Sequence, residues 1–144
     1  MTLFETIRED RQPLAIVMKK HKGIRRVVED LYPDRAHFIF ELLQNAEDAG
    51  ATEAGFTLAK DGLTFRHNGR PFTPEDVWGI TDIGEGTKAE DHEKIGKFGI
   101  GFKAVFLYTE NPSIWSPRLS FRLADLVLPY ALDSRPDNRD FTVF

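Results

Sequence analysis

Two hydrophobic periods alternate along this chain, and the switch between them predicts its elements. Residues 2–20 read as a helix that Pro13 kinks or restarts, and Gly23 punctuates its end. In "IRRVVEDLY" (24–32), Ile24, Val27, Val28 and Leu31 share one helical face. Pro33 and Asp34 open a further helix, "RAHFIFELLQNAEDA", which Gly50 terminates. The period then drops to two. "EAGFTLA" (53–59) and "GLTFRH" (62–67), joined through Lys60, Asp61 and Gly62, predict a β-hairpin. Thr73 is placed to cap the short helix "PEDVWGI", with Pro74 at its first position and Glu75 and Asp76 in its first turn. Residues 81–95 are polar and glycine-bearing, the pattern of a mobile loop. "FKAVFLY" after Gly101 reads as a helix, and "SIWS" (113–116), "LSFRLADLVL" (119–128) and "FTVF" (141–144) as strands.

Helices, a hairpin, a loop and then strands predict an α/β (α+β) two-layer sandwich, a mixed, mostly antiparallel sheet covered on one face by helices. Irregular alternation argues against a doubly wound sheet. The glycine stretch at 96–101 follows a loop, not a strand, which argues against a dinucleotide-binding fingerprint. The division expected is an N-terminal helical segment, residues 1–23, and one domain over residues 24–144. The last residues, "RDFTVF", resemble a strand just beginning, so the chain is expected to be a fragment of a longer protein, truncated at that strand.

Composition narrows the chemistry. The chain has 144 residues, 41% hydrophobic and 29% charged, the balance of a soluble globular domain. A net charge of −4 indicates no general attraction to nucleic acid or to an anionic membrane. The absence of cysteine excludes disulfides, thiolate metal sites and a cysteine nucleophile. No signal peptide or membrane-spanning run is visible, and the expected location is cytoplasmic.

Three stretches have the residues for chemistry. In "ELLQNAEDAGA", Glu41, Asn45 and Asp48 lie at i, i+4 and i+7, one stripe of a helix whose apolar face is Phe38, Ile39, Leu42, Leu43, Ala46 and Ala49. Spacing alone allows a solvated helix edge. The less usual arrangement is a pocket in which a glutamate polarises water and an amide oxygen ligates a hard cation. In "HNGRPF", His67, Asn68 and Gly69 form either a plain turn or a strand end that a flat ligand approaches, with the amide reading a base edge. "GKFGIGFKAVF" packs Gly96, Gly99 and Gly101 against a helix start, either as a tight turn or as a cradle of backbone N–H groups for phosphate.

Together, "ELLQNAEDAGA", "HNGRPF" and "GKFGIGF" resemble, in order and rough spacing, the motifs of the GHKL ATPase superfamily. The nearest likeness is to Hsp90-like ATP-binding domains of the sacsin type, over roughly residues 24–116. The resemblance implies the Bergerat ATP-binding fold, with ATP and Mg²⁺ as cofactors. It implies that Glu41 activates water and that Asn45 binds Mg²⁺, with Asp48 supporting the pocket. Gly96, Lys97, Phe98, Gly99, Ile100, Gly101 and Phe102 match the phosphate turn. Ile83, Thr87 and Lys88 belong to a lid loop, and Thr142 matches a threonine beside the adenine. His67, Asn68 and Gly69 stand at the base-reading position. There the family usually carries an aspartate in D-x-G, so His67 is a departure.

The function expected from this resemblance is slow, Mg²⁺-dependent ATP hydrolysis. Loop 81–95 would close over the nucleotide and report its state to downstream domains of the same chain. An ATP-dependent homodimer through residues 1–23 is a further implication. The alternatives are a sensor that binds ATP or ADP without turnover, and a purely structural interaction domain. A phosphotransfer kinase fits less well, because no upstream dimerisation helix carries a phosphoacceptor histidine.

Overall fold

The computed structural model describes residues 1–21, 26, 30, 36–82, 100–135 and 140–144, and it places ten elements in them. Helix α1 (Leu3–His21) opens with a reciprocal cap. Thr2 Oγ1 accepts from the Glu5 N–H at 3.2 Å, and Glu5 Oε2 accepts from the Thr2 N–H at 2.7 Å. The helix runs through Pro13 without a restart. Helix α2 (His37–Asp48) ends at Gly50, whose φ of +73° is the left-handed geometry glycine adopts without strain. Of the expected helix at 24–32, only Arg26 and Asp30 are described, both helical and exposed.

The hairpin forms as the alternation predicts. Strand β1 (Ala54–Ala59) pairs antiparallel with β2 (Gly62–His67), with Ala59 opposite Gly62. Helix α3 (Pro74–Ile80) has the expected Thr73 cap, and the Asp76 carboxylate closes the box on the Thr73 N–H at 2.9 Å.

The C-terminal half departs from the sequence reading twice. Residues Ile100–Leu107 form a 3₁₀-helix, not an α-helix. Phe102, Lys103, Ala104 and Phe106 are buried, and Val105 and Leu107 are partly exposed. The expected strand 119–128 is two strands, β4 (Ser120–Ala124) and β5 (Leu128–Ala131), folded into a hairpin. The turn holds Asp125 and Leu126 at φ of 50° and 71°, a conformation that costs a branched side chain energy. Lys103 compensates: its buried Nζ donates to the Leu126 carbonyl at 2.9 Å and to the Ile80 carbonyl. On the outside of the turn, Lys19 pairs with Asp125 at 3.2 Å.

With β3 (Ser113–Trp115) and β6 (Thr142–Val143), the strands form one six-stranded sheet in the order β1-β2-β6-β3-β4-β5. Every pairing among the described residues is antiparallel. The fold is thus an α+β sandwich with an open antiparallel sheet. Phe65, Ile114, Phe121 and Leu123 point from the sheet into a core shared with Phe4 and Ile7 of α1, Leu42 and Ala46 of α2, Val77 and Ile80 of α3, and Phe102 and Phe106. The opposite face carries cation–aromatic pairs, Arg66 over Phe141 at 4.2 Å and Arg122 over Tyr130 at 4.6 Å. Among the described residues, no helix is long and apolar enough to cross a membrane.

Burial pulls the Lys103 ammonium from 10.5 down to about 7, against the opposing attraction of Asp82. Between those two values the unfolded chain binds more protons than the folded one, so stability rises with pH across that window. Denaturant titrations should show wild type gaining on Lys103→Met as pH climbs from about 7 toward 10.5. A difference that stays flat over that range would contradict a buried, titrating Lys103.

Candidate nucleotide-binding site

The stripe on α2 runs from the core side of the helix to its solvated edge. Asn45 is 2% exposed and, with Leu42 and Ala46, is one of the buried residues of the helix. Glu41, one turn earlier, is partly buried, and its Oε1 lies 3.0 Å from His37 Nε2. Asp48, one turn later, is exposed, with Oδ1 accepting from Gln44 Nε2 at 3.1 Å. The three side chains thus grade from half-buried through buried to exposed: at 3.6 residues per turn Asn45 lies about 40° to one side of Glu41, toward the core, and Asp48 about 20° to the other, toward solvent. Leu43, expected in the apolar face, is 42% exposed.

The other wall comes from the centre of the sheet. His67, the last residue of β2, is 2% exposed and stands directly opposite Thr142 of β6, so the two side chains share the inner face. Thr142 Oγ1 lies 3.1 Å from Ser116 Oγ, which also accepts from the Phe72 N–H at 2.8 Å. Burial lowers the pKa of His67, favouring the neutral ring. Its Nδ1 accepts from the Gly69 N–H at 3.0 Å. Asn45, Asp48, Ala49, His67, Phe72 and the Arg70–Asp76 pair line one small pocket between α2 and β2.

Asn68 and Gly69 serve this pocket by holding its walls together. Asn68 Oδ1 accepts from the N–H groups of Thr52 and Glu53, each at 2.9 Å, and its Nδ2 donates to Thr52 Oγ1 at 2.8 Å. Both ends of the amide are thereby engaged with the loop after α2. Gly69 sits against the end of α2, where a Cβ would meet the Ala49 Cβ and carbonyl oxygen at 2.8 Å. The next residue, Arg70, donates its N–H to that same carbonyl at 2.8 Å.

Phe102 is in the core, with its ring 6.1 Å from Phe144. Ile100 and Gly101 begin the 3₁₀-helix. Ile83, Thr87, Lys88, Gly96, Lys97, Phe98 and Gly99 lie outside the described residues.

Sequence reasoning missed two contributors. Arg70 clasps Asp76 through both guanidinium nitrogens at 2.8 and 3.3 Å, and that bond raises the Arg70 pKa. The capping box T-P-E-D was visible in the sequence, but nothing in its spacing placed Asp76 against Arg70. His37 was the other, visible only as an i, i+4 partner of Glu41.

Comparison with known proteins places this architecture. A family model described as the sacsin domain matches residues 62–138, more than half of the chain. The chain belongs to the sacsin domain family. It is similar to Protein NO VEIN of Arabidopsis thaliana, 35% identical over 118 residues, which cover 76% of this chain and 4% of that protein. It is also similar to Sacsin of Homo sapiens, 41% identical over 102 residues, covering 59% of this chain and 2% of that protein. This sacsin-family chain therefore spans only a few per cent of the length of these relatives. The matched segment begins at β2 and includes His67, Asn68 and Gly69.

The close approach at Gly69 has a direct consequence. Gly69→Ala forces the Ala49 backbone away and should cost about 1–3 kcal/mol, the usual range for overpacking. Gly55, where a Cβ meets nothing within 4 Å, is the control, and Gly55→Ala should be near neutral. Equal midpoints for the two variants in denaturant would show that the α2–β2 junction is not tight.

Proposed function

We propose that this chain is a nucleoside-triphosphate-binding domain of the GHKL type, with ATP the nucleotide its resemblance implies, and that it hydrolyses the γ-phosphate slowly. The observation that carries this reading is the convergence of Asn45 and Asp48 from α2 with His67 and Thr142 from the sheet centre, and Glu41 one turn from Asn45. Two of the three motifs, those around Asn45 and around His67, line one pocket. Membership of the sacsin family agrees with it.

The donor chemistry suits a hard cation: Asn45 offers a neutral amide oxygen and Asp48 a carboxylate on the same pocket. When bound, Mg²⁺ supplies charge neutralisation at the phosphates, with Asn45 holding it. The remaining work belongs to the chain. Glu41 orients a water for attack on phosphorus and takes up its proton, and the His37 contact at 3.0 Å fixes the carboxylate that does so. His67 and Thr142 form the floor under the base. Gly96 to Phe102 would cradle the phosphates, with Ile83, Thr87 and Lys88 closing over them. Downstream domains of a longer protein would then read the closed state, and a homodimer formed on nucleotide binding is one form that output can take.

A second reading, a sensor without turnover, is favoured by one observation. Glu41 already has an ionisable partner in His37, which competes with water for its carboxylate.

The variants separate these readings. Glu41→Ala should keep nucleotide binding and lower turnover by about 10²-fold or more. Asn45→Ala should lose the Mg²⁺-dependent part of binding. Calorimetry and a single-turnover assay read both. Turnover unchanged in both variants contradicts the catalytic assignment, and binding without turnover in wild type establishes the sensor.

A further inference from the structure

Resting on the nucleotide-site reading above, we infer that the base-reading position presents a hydrogen-bond donor, the Nε2–H of His67, and so selects a purine with a carbonyl oxygen at its six-position over adenine. The tautomer follows from a backbone contact. Gly69 N–H can only donate, and it points at His67 Nδ1 from 3.0 Å. Nδ1 is therefore the bare nitrogen, and the single proton of the neutral ring sits on Nε2. Burial at 2% exposure works against a second proton.

Among the described residues, no group receives the Nε2 proton, and the ring lines the pocket. A ligand that supplies an acceptor there completes the bond. The six-oxygen of guanine or hypoxanthine is such an acceptor. Adenine presents an amino group at that place, setting donor against donor and leaving the Nε2–H unpaired once the base covers it.

The neighbouring hydroxyl does not offset this bias. Thr142 Oγ1 shares a proton with Ser116 Oγ at 3.1 Å and can rotate to donate or accept. It therefore serves the protonated N1 of a six-oxopurine and the bare N1 of adenine equally well. Asn68 is bound to Thr52 and Glu53 at both ends of its amide, and it does not substitute for His67. The choice between the two purine classes falls on one ring nitrogen.

Calorimetric titration of the full chain with ATP, GTP and ITP in the presence of Mg²⁺ tests this. GTP and ITP should bind about ten- to a hundredfold more tightly than ATP, the discrimination expected from one unpaired buried donor. ITP separates the six-oxygen from the two-amino group of guanine. His67→Asp supplies an acceptor and should reverse the order; His67→Gln, which can both donate and accept, should level it. Imidazole ¹⁵N shifts of the free wild-type chain should place the proton on Nε2, a readout that needs neither a variant nor a ligand. ATP binding as tight as GTP and ITP in wild type, or a proton on Nδ1, overturns the inference while leaving a nucleotide site standing. No binding of any of the three at millimolar concentration overturns the nucleotide reading and this inference with it.

Discussion

The strand at residues 142–143 holds the sheet together. Without β6, the β1–β2 hairpin and the β3–β4–β5 meander are separate, since no other strand pairs with both. The join is short but doubly fastened. Phe65 and Phe144 exchange backbone hydrogen bonds at 3.0 and 2.7 Å, and the Phe144 ring lies 5.7 to 6.1 Å from those of Phe65, His67, Phe72 and Phe102. Long-range antiparallel pairing of this kind carries a loop-closure cost, which aromatic burial on the inner face offsets. The same join brings Thr142 opposite His67. Sheet closure therefore also sets the surroundings of His67, which lines the pocket.

The second wall is fixed by backbone proximity. Gly69 lets β2 leave the sheet against the last turn of α2, and the Arg70 N–H on the Ala49 carbonyl locks that approach. Asn68 ties the connecting loop at three points. Polar residues in a turn would ordinarily be read as ligand contacts. Here Asn68 and Gly69 act as the brace that sets the distance between Asn45 on the helix and His67 on the strand.

Much of this architecture was legible in the sequence because local and global signals agree. The periods of α2, the β1–β2 hairpin and the T-P-E-D cap each point to the structure that forms. The β4–β5 turn was not legible. Asp125 tolerates the left-handed region but Leu126 has none of the glycine or asparagine chemistry of a tight hairpin, and its carbonyl is held by Lys103, more than twenty residues earlier in the chain. The 3₁₀-helix was also hidden, since an almost wholly apolar run has the same pattern in either winding. At the site, spacing placed Glu41 and Asn45 on one helix face, but only tertiary packing made Asn45 the buried member. The tautomer of His67 depends on a single N–H two residues away, which no composition or period encodes.

A nucleotide site of the kind proposed places the ligand in the pocket between α2 and the sheet centre, not in the larger cavity lined by Ala15, Met18, Lys103 and Leu126. An amide NMR titration of the full chain with a purine nucleoside triphosphate and Mg²⁺ tests it most directly. Shifts should be concentrated at Asn45, His67, Gly69 and Thr142. Shifts centred on Ala15, Met18 and Leu126, with the first four residues unmoved, would contradict it.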